Sequence, residues 1–539
     1  MATLLVPFVV LTAGGRYLGS GDSVPAELLP ISVLGDGDLA FDEFVQSGHP
    51  LPYWGQRVNG RVLSNYPILP GVLNVPVYAA ARVCGVSLYA ERFSLSLLTC
   101  ALLVSFSVVF LHRCLLALGG SESEAALFAF AYFFGTAVWS VAGKGLFQHG
   151  PSVFFLALAL LLLAKDRPRW TALAGFGLAM AVVNRPTNAL VALPLTVFAI
   201  RYRQRGFLGY VALAAIPAAL HALYTWSYFG TPFSSTQPVT IGQFSGTWTE
   251  GLAGLLLSPS RGLFVFSPFL LFCIPASVMA FRKGEPRLYR YLTVAVVLEL
   301  ALYSRWDNWW GGHTFGYRLL IELVPLLVLI LARHWRRFAA FRGSMPVFGA
   351  LLALSVAVQA LGAWVFPSGF NTNIDREPWR LWTLADSEIV LDVQKLTGKG
   401  KPSGLSEFAP NVPSAAPPKP VWWSADADDE SIPGHLDWPR EGAFVRRELV
   451  VRGWAGSGEG PVDVQVLLGS GEPALSASRH NRLDVCGVFP ELGDCRRIGF
   501  GVTIPSKGGR LRESLVSVEL RDSRGHVRRL GPVRFYWRG

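Results

Sequence analysis

Charge is scarce in this chain: Asp, Glu, Lys and Arg together make up 16% of 539 residues, against a hydrophobic share of 51%. So few charges cannot solvate the surface of an ordinary soluble enzyme, and the mean hydropathy of +0.37 agrees. The chain is also too long for one compact domain, so a polytopic membrane protein with an appendage is expected. Internal repeats are lacking, as are obvious charged residues at mid-membrane depth, which argues against a transporter. The formal charge of +11 does not point to nucleic acid, because the basic residues fall mostly in short loops between apolar runs, as membrane orientation requires. Cysteine is sparse too. Cys84, Cys100, Cys114 and Cys273 sit in apolar segments as free thiols, leaving Cys486 and Cys495, which bracket GVFPELGD, as a disulfide expected in an oxidising compartment.

What is abundant is apolar sequence. Runs near ~20 residues predict roughly 11 spans, at about 4–18, 92–115, 124–142, 150–164, 171–184, 188–200, 207–228, 262–281, 289–304, 318–334 and 346–366. Arg113, Lys165/Arg167/Arg169, Arg201/Arg203/Arg205, Arg282/Lys283/Arg287/Arg290 and Arg333/Arg336/Arg337/Arg342 mark alternate loops as cytoplasmic. The acidic first loop, KGLFQHG (144–150), NRPTN (184–188), the 229–261 connection, RWDNWWGGHTFGYR (305–318) and everything after Phe366 then share the opposite, extracytoplasmic face. An incomplete N-terminus remains open, because the first run is interrupted by Gly14-Gly15 and no basic residue precedes it.

The first loop carries Asp22, Glu27, Asp36, Asp38, Asp42 and Glu43. Pro25 suits the opening turn of a helix capped by Asp22 or Ser23, and AELLPISVL continues it along the membrane surface. Pro67–Cys84, with Pro70 and Pro76 inside and Gly85 after, reads as a second interfacial helix. DGDLAFDEF does not match a calcium loop and reads as a solvated turn. After Phe366, residues 367–431 are rich in glycine and proline without periodicity and read as an extracytoplasmic linker, with an ordered first half as one alternative. From about Ile432, the alternating runs FVRRELVVRGW, VDVQVLL, RIGFGVTI, LVSVELRD and VRFYW predict a β-sandwich over 432–539. Its Arg528, Arg529 and Arg534 are candidates for contact with anionic lipid or glycan, or an ordinary solvated face.

NYPILPGVLNVPVYAAARVCGVSLYAERFSLSLL, following an outer loop with an acidic residue before an amphipathic helix, resembles the GT-C type membrane glycosyltransferases, such as protein O-mannosyltransferases and lipid A aminoarabinose transferases. The resemblance covers residues 1–366. GLLLSPSRGLFVFSPF (254–269) and WWGGHTFGYRLLIELVPLL (309–327) are similar to segments of bacterial members of that class. VVRGWAG and IGFGV are similar to a β-sandwich appended to some of them. The resemblance implies a polyprenyl-phosphate sugar as donor, an envelope glycan, lipid or protein as acceptor, and an inner-membrane location with a periplasmic C-terminal domain. It also implies that Asp22 is the first-loop carboxylate that acts as base or orients the acceptor. No cofactor is implied, although some members use a divalent ion.

The chemistry asks for little more. An acceptor hydroxyl must lose a proton as it attacks the anomeric carbon, and the departing phosphate gains negative charge that Arg or Lys must meet. One displacement inverts the anomeric centre. Arg185 and Arg318 stand at outer ends of expected spans, with Lys144, Arg261 and His313 behind them as further substrate-binding candidates. Where relatives carry a Lys-Pro and an acidic residue, this chain has Tyr66-Pro67 and Gln148-His149-Gly150, which makes His149 an alternative base or hydrogen-bond donor. The rival readings are a non-catalytic protein that binds a polyprenyl lipid and a transporter. Snorkelling for the two arginines, a helix cap for Asp22, a structural role for His149 and membrane anchoring for Trp306, Trp309 and Trp310 are the plain alternatives.

Overall fold

The computed structural model describes residues 2–44, 51–52, 54–232, 244–366, 374, 378–398, 432, 434–438, 443–445, 448–456, 462–469, 475–480, 499–505, 512–524 and 526–537. The chain divides into two compact units, Met1–Asn411 and Val412–Gly539.

The first unit is helical: α1 Ala2–Ala13, α2 Val24–Gly35, α3 Leu69–Val83, α4 Arg92–Ala117, α5 Glu122–Phe134, α6 His149–Ala164, α7 Pro168–Asn184, α8 Ala189–Tyr202, α9 Gln204–Phe229, α10 Trp248–Leu257, α11 Leu263–Phe266, α12 Cys273–Met279, α13 Arg287–Ser304, α14 Val324–Ala339, α15 Ser344–Trp364 and α16 Glu388–Leu396. Among the described residues three helices, α4, α9 and α15, are long and apolar enough to cross a membrane, which corrects the expectation of roughly 11 spans. The apolar runs do form helices, but several stop short. At about 1.5 Å per residue the 16 residues of α6 and the 17 of α7 fall below a bilayer's hydrocarbon thickness. The run over 262–281 is not one helix: Pro268 has no backbone N–H to continue α11, and a 3₁₀ turn Pro268–Phe272 intervenes before α12. Likewise Arg318–Leu323 forms a 3₁₀ turn ahead of α14.

Two strands of the first loop, β1 Gly55–Val58 and β2 Arg61–Ser64, pair antiparallel around Asn59-Gly60. Both turn residues have positive φ, 51° and 83°, the conformation that a two-residue Asn-Gly hairpin needs. The hairpin hands the chain to Tyr66 and then to α3. Helix α3 lies tightly on α2: a Cβ on Gly71 would come within 2.7 Å of Leu29 Cδ2. Its Asn74 and Tyr78, one turn apart, donate to the backbone oxygens of Ala26 and Glu27 at 3.1 and 2.9 Å. Thr99 of α4 in turn donates to Asn74 at 2.6 Å. The start of α2, with Asp22 just before it, is thereby tied to the helical core.

Part of the stretch read as a linker packs in this unit. Ile374 and Leu381 are buried with Trp309, and Ser258 Oγ donates to Leu381 O at 2.6 Å.

The second unit contains β3 Gly434–Trp438, β4 Ala443–Val445, β5 Glu448–Ala455, β6 Asp463–Leu468, β7 Leu475–Ser476, β8 Ser478–His480, β9 Gly499–Pro505, β10 Arg512–Arg521 and β11 Val527–Trp537. They form sheets in the orders β4-β11-β10-β6-β7 and β3-β5-β9-β8, antiparallel except for β4 with β11. Leu449, Val451 and Phe500 of one sheet share a core with Val466, Val516 and Val518 of the other, which follows from the alternating pattern of the strands. Cys486 and Cys495 lie outside the described residues, as does the side chain of Arg534. Arg528 donates to Ile432 O at 2.9 Å, and Arg529 to Glu519 at 3.0 Å.

Candidate functional site

Pro25 lies in the first turn of α2 and Ser23 holds the N-cap position, yet no side chain caps the helix. The Ser23 hydroxyl goes instead to Glu27 Oε1 at 2.7 Å, where the Tyr17 hydroxyl also donates at 2.7 Å. Burial pushes the Glu27 carboxyl up, and those two donors only partly counter it. Asp22 turns away from the helix. Its Oδ1 accepts from the Tyr66 hydroxyl at 2.9 Å, and its Oδ2 meets Arg318 Nη1 at 3.0 Å. Burial opposes the Asp22 charge, but Arg318 and the Tyr66 hydrogen bond outweigh it and hold the carboxyl below its ordinary range. Tyr66 therefore supplies a neutral donor to the first-loop carboxylate.

Three other acids of that loop are engaged locally. Asp38 accepts from Ala40 N at 3.0 Å and pairs with Arg61 at 3.3 Å; Asp42 accepts from Val62 N at 2.7 Å; Glu43 accepts from Ser32. Among the described residues no group of three or more His, Cys, Asp or Glu is placed to hold a metal ion.

Behind Asp22 lies a second, buried cluster. Asn184, the last residue of α7, donates to Gln148 O at 2.6 Å and Ser152 Oγ at 2.8 Å, and Asn188 donates to the same hydroxyl at 2.9 Å. These bonds pin the NRPTN turn to the start of α6 and bring Arg185 to His149. Glu322 arrives from the 3₁₀ turn one helical repeat after Arg318, and its Oε1 lies 2.8 Å from His149 Nδ1 and 3.2 Å from Arg185 Nη1. Arg185 further donates to the Tyr303 hydroxyl at 2.6 Å and to Thr187 Oγ1 at 3.2 Å. Glu299, one turn before Tyr303 on α13, is fully buried with neither carboxyl oxygen hydrogen-bonded, and Glu322 Oε2 is also left over. His149 feels both Asp22 and Arg318 electrostatically, so the two clusters are neighbours.

Glu299 and Glu322 lie inside runs read as spans, 289–304 and 318–334. Neither was singled out beforehand. The usable signal was a lone glutamate in an apolar helix, which membranes tolerate poorly without a purpose.

Lys144 follows the π-helical turn Val138–Ala142 and is wholly buried, with no hydrogen-bond partner for Nζ. Burial, helped by the nearby charge of Arg16, lowers its ammonium to about 8. Two cations thus stand side by side where the first loop leaves α1, with Arg16 also donating to Phe366 O.

Arg261 belongs to a different assembly. It donates to the backbone oxygens of Ser260, Trp310 and Gly312 at 2.8, 2.9 and 2.9 Å and pairs with Glu388 of α16 at 2.6 Å. Glu388 Oε2 also accepts from Gly316 N at 2.9 Å. Burial pushes the Glu388 carboxyl up to about 7, even against the pull of Arg261. His313 lies exposed on the same glycine-rich loop.

Of the sequence candidates, then, Asp22 pairs with Arg318 and His149 with Arg185 in two neighbouring clusters, Lys144 stands with Arg16, and Arg261 is held by the chain's own carbonyls. Compared with known proteins, the chain matches no family model and no curated sequence.

Proposed function

We propose that the chain is an inverting glycosyltransferase of the bacterial inner membrane, moving a sugar from a polyprenyl-phosphate donor to an envelope glycan, lipid or protein acceptor at the extracytoplasmic face. In this reading most of the apolar helices pack as a membrane domain around α4, α9 and α15, and the β unit is periplasmic. The observation that supports it is the Asp22–Arg318 contact at 3.0 Å, a carboxylate and a cation beside each other at a loop–helix junction. Arg318 uses only Nη1 on Asp22, and its other N–H groups can meet the phosphate oxygen that gains charge as the sugar departs, with Arg185 behind it. Lys144, buried without an acceptor of its own, adds a third cation that an anionic headgroup would satisfy.

The test is envelope glycan mass spectrometry in a deletion strain complemented with wild type, with Asp22→Asn, or with empty vector. Loss of one glycan modification on deletion, restored by wild type and not by Asp22→Asn at equal expression, supports transfer that depends on Asp22. A deletion that changes no glycan sinks the transferase reading.

A second reading, a non-catalytic protein that binds polyprenyl lipid, draws on the fact that Asp22 is already neutralised by Arg318. It requires tight binding of polyprenyl phosphate that Asp22→Asn leaves unchanged, with no sugar moved.

A further inference from the structure

We propose that His149, oriented by Glu322, is the group that accepts the acceptor hydroxyl's proton, and that Asp22 serves to hold Arg318; this rests on the transferase reading above. The geometry at Nδ1 leads there. That nitrogen is 2.8 Å from Glu322 Oε1 and also 2.8 Å from Arg185 Nη1. A ring nitrogen either carries a hydrogen and donates or presents a lone pair and accepts, so it cannot satisfy both neighbours at once. If Arg185 donated into Nδ1, the Nδ1 lone pair would face a carboxylate oxygen at 2.8 Å, lone pair against lone pair. If instead Nδ1–H donates to Glu322 Oε1, Arg185 keeps its own bond to that same oxygen at 3.2 Å, and its approach to the ring, 2.8 Å from Nδ1 and 3.4 Å from Nε2, is that of a cation lying across the ring face rather than on the in-plane lone-pair axis of either nitrogen. The second arrangement is the consistent one, and it leaves the lone pair on Nε2.

A carboxylate bonded to one imidazole nitrogen fixes the tautomer and stabilises the imidazolium that forms when the other nitrogen takes a proton. Asp22 is the poorer base of the two: it already accepts from Tyr66 and faces Arg318, so protonating it would forfeit both contacts.

The step balances. The acceptor oxygen forms a bond to the anomeric carbon of the polyprenyl-phosphate sugar, the bond from that carbon to the phosphate oxygen breaks, and the polyprenyl phosphate leaves with the electron pair. The hydroxyl proton passes to Nε2 of His149, and Glu322 stays ionised beside the imidazolium. His149 is the catalytic residue and Glu322 a positioning residue. The charged and titratable groups around the ring are Glu322 and Arg318 from the 3₁₀ turn, Arg185 from the turn after α7, Tyr303 and Glu299 from α13, and Asp22 from the first loop.

The test has two arms on the full chain. In the first, the protein is labelled with ¹⁵N-histidine in lipid bilayers, and the His149 signal, identified by its loss in His149→Gln, is read for its tautomer. The expected result is Nδ1–H in wild type, shifted toward Nε2–H in Glu322→Gln. Nε2–H in wild type, or a tautomer indifferent to Glu322→Gln, overturns the proposal. In the second arm, glycan modification in the complemented deletion strain is measured for His149→Gln, Glu322→Gln and Glu322→Asp. The expected losses are about 100-fold or more for the first two, in the range that general-base removal produces, with partial rescue by Glu322→Asp. Full activity in His149→Gln overturns the proposal even if the tautomer is as expected. Absence of any glycan change on deletion instead defeats the transferase reading and the proposal with it, an outcome the tautomer arm keeps separate from a wrong dyad.

Discussion

Arg185 and Arg261 are both buried and both meet one glutamate, yet their surroundings differ in kind. Arg261 is surrounded by main-chain carbonyls of Ser260, Trp310 and Gly312, which cannot rotate away or change protonation. Arg185 is surrounded by side chains, Tyr303, Thr187, His149 and Glu322, which can do both. One cluster leaves carboxyl oxygens of Glu299 and Glu322 without a donor; the other ties Glu388 to a backbone N–H as well as to its arginine. The contrast separates an arginine that fixes a loop from one that can exchange partners with a ligand. Buried charge alone does not mark a site, whereas buried charge held by exchangeable partners does.

Breaking the fixed pair gives the largest expected effect. Glu388→Ala leaves Arg261 buried without an anion and is expected to cost about 3–5 kcal/mol, read as a lowered midpoint in thermal or denaturant unfolding and as protease cleavage within 378–398. Replacing both partners sharpens the comparison. Arg261→Met with Glu388→Leu should recover most of that stability together with glycan modification. Arg185→Met with Glu322→Leu should recover stability while modification stays down about 100-fold or more. Equal recovery of activity by the two double variants would erase the distinction.

Lys144→Met comes next. Removing a buried ammonium that has no acceptor is expected to stabilise the ligand-free protein by about 1–3 kcal/mol while weakening its binding of polyprenyl phosphate, measured by thermal shift with and without the lipid. A simple structural lysine would give the opposite sign for stability.

The pH response of the fixed pair is smaller. The Glu388 carboxyl titrates at about 7 in the folded chain against an ordinary 4.5. The folded state therefore holds this proton more tightly than the unfolded chain does. That contribution is complete below 4.5 and is lost as pH rises through about 7. Hydrogen exchange over 387–396, corrected for the intrinsic pH dependence, should show weaker protection at pH 8 than at pH 6, and Glu388→Gln should flatten the difference. Tyr66→Phe is the mildest change, removing one donor from Asp22 for about 1 kcal/mol or less and moving its carboxyl back toward the ordinary range, seen as an upward shift in its titration by NMR.

Much of the scaffold was legible in the sequence because it is written in local terms. Apolar runs located the helices, Pro25 marked the opening of α2, and alternation marked the strands of the C-terminal sheets, while the helix read from Pro67 begins at Leu69 with Pro70 in its first turn. Continuity was harder to read: hydropathy does not register that Pro268 interrupts a run or that Arg318–Leu323 winds as a 3₁₀ turn, so helix length, and with it the count of membrane-capable helices, was overestimated. The hairpin at Asn59-Gly60 had a sequence sign that went unused. For the site, the resemblance pointed to Asp22 and His149 as candidates, and a place at the outer ends of expected spans to Arg185 and Arg318. Glu322 and Glu299 stood out only as lone glutamates in apolar runs, and that they gather around Arg185 depends on which helices meet at α6, α13 and the turn before α14, a matter of tertiary packing. The destination of Arg261 depended on Glu388, more than a hundred residues away in a stretch whose composition suggests a tether.

That tether-like stretch has a bearing on how such proteins can be recombined. Glu388 supplies the counter-charge for Arg261, so the hereditary unit of the helical part does not end with its last long helix. A crossover placed just after Phe366, the obvious seam by hydropathy, would exchange α16 along with the sheets and strand Arg261 in the recipient. A crossover after Leu396 would transplant the C-terminal sheets and leave the recipient's own glutamate in place. The position of one acidic side chain thus dictates where this architecture can gain, lose or trade its terminal module.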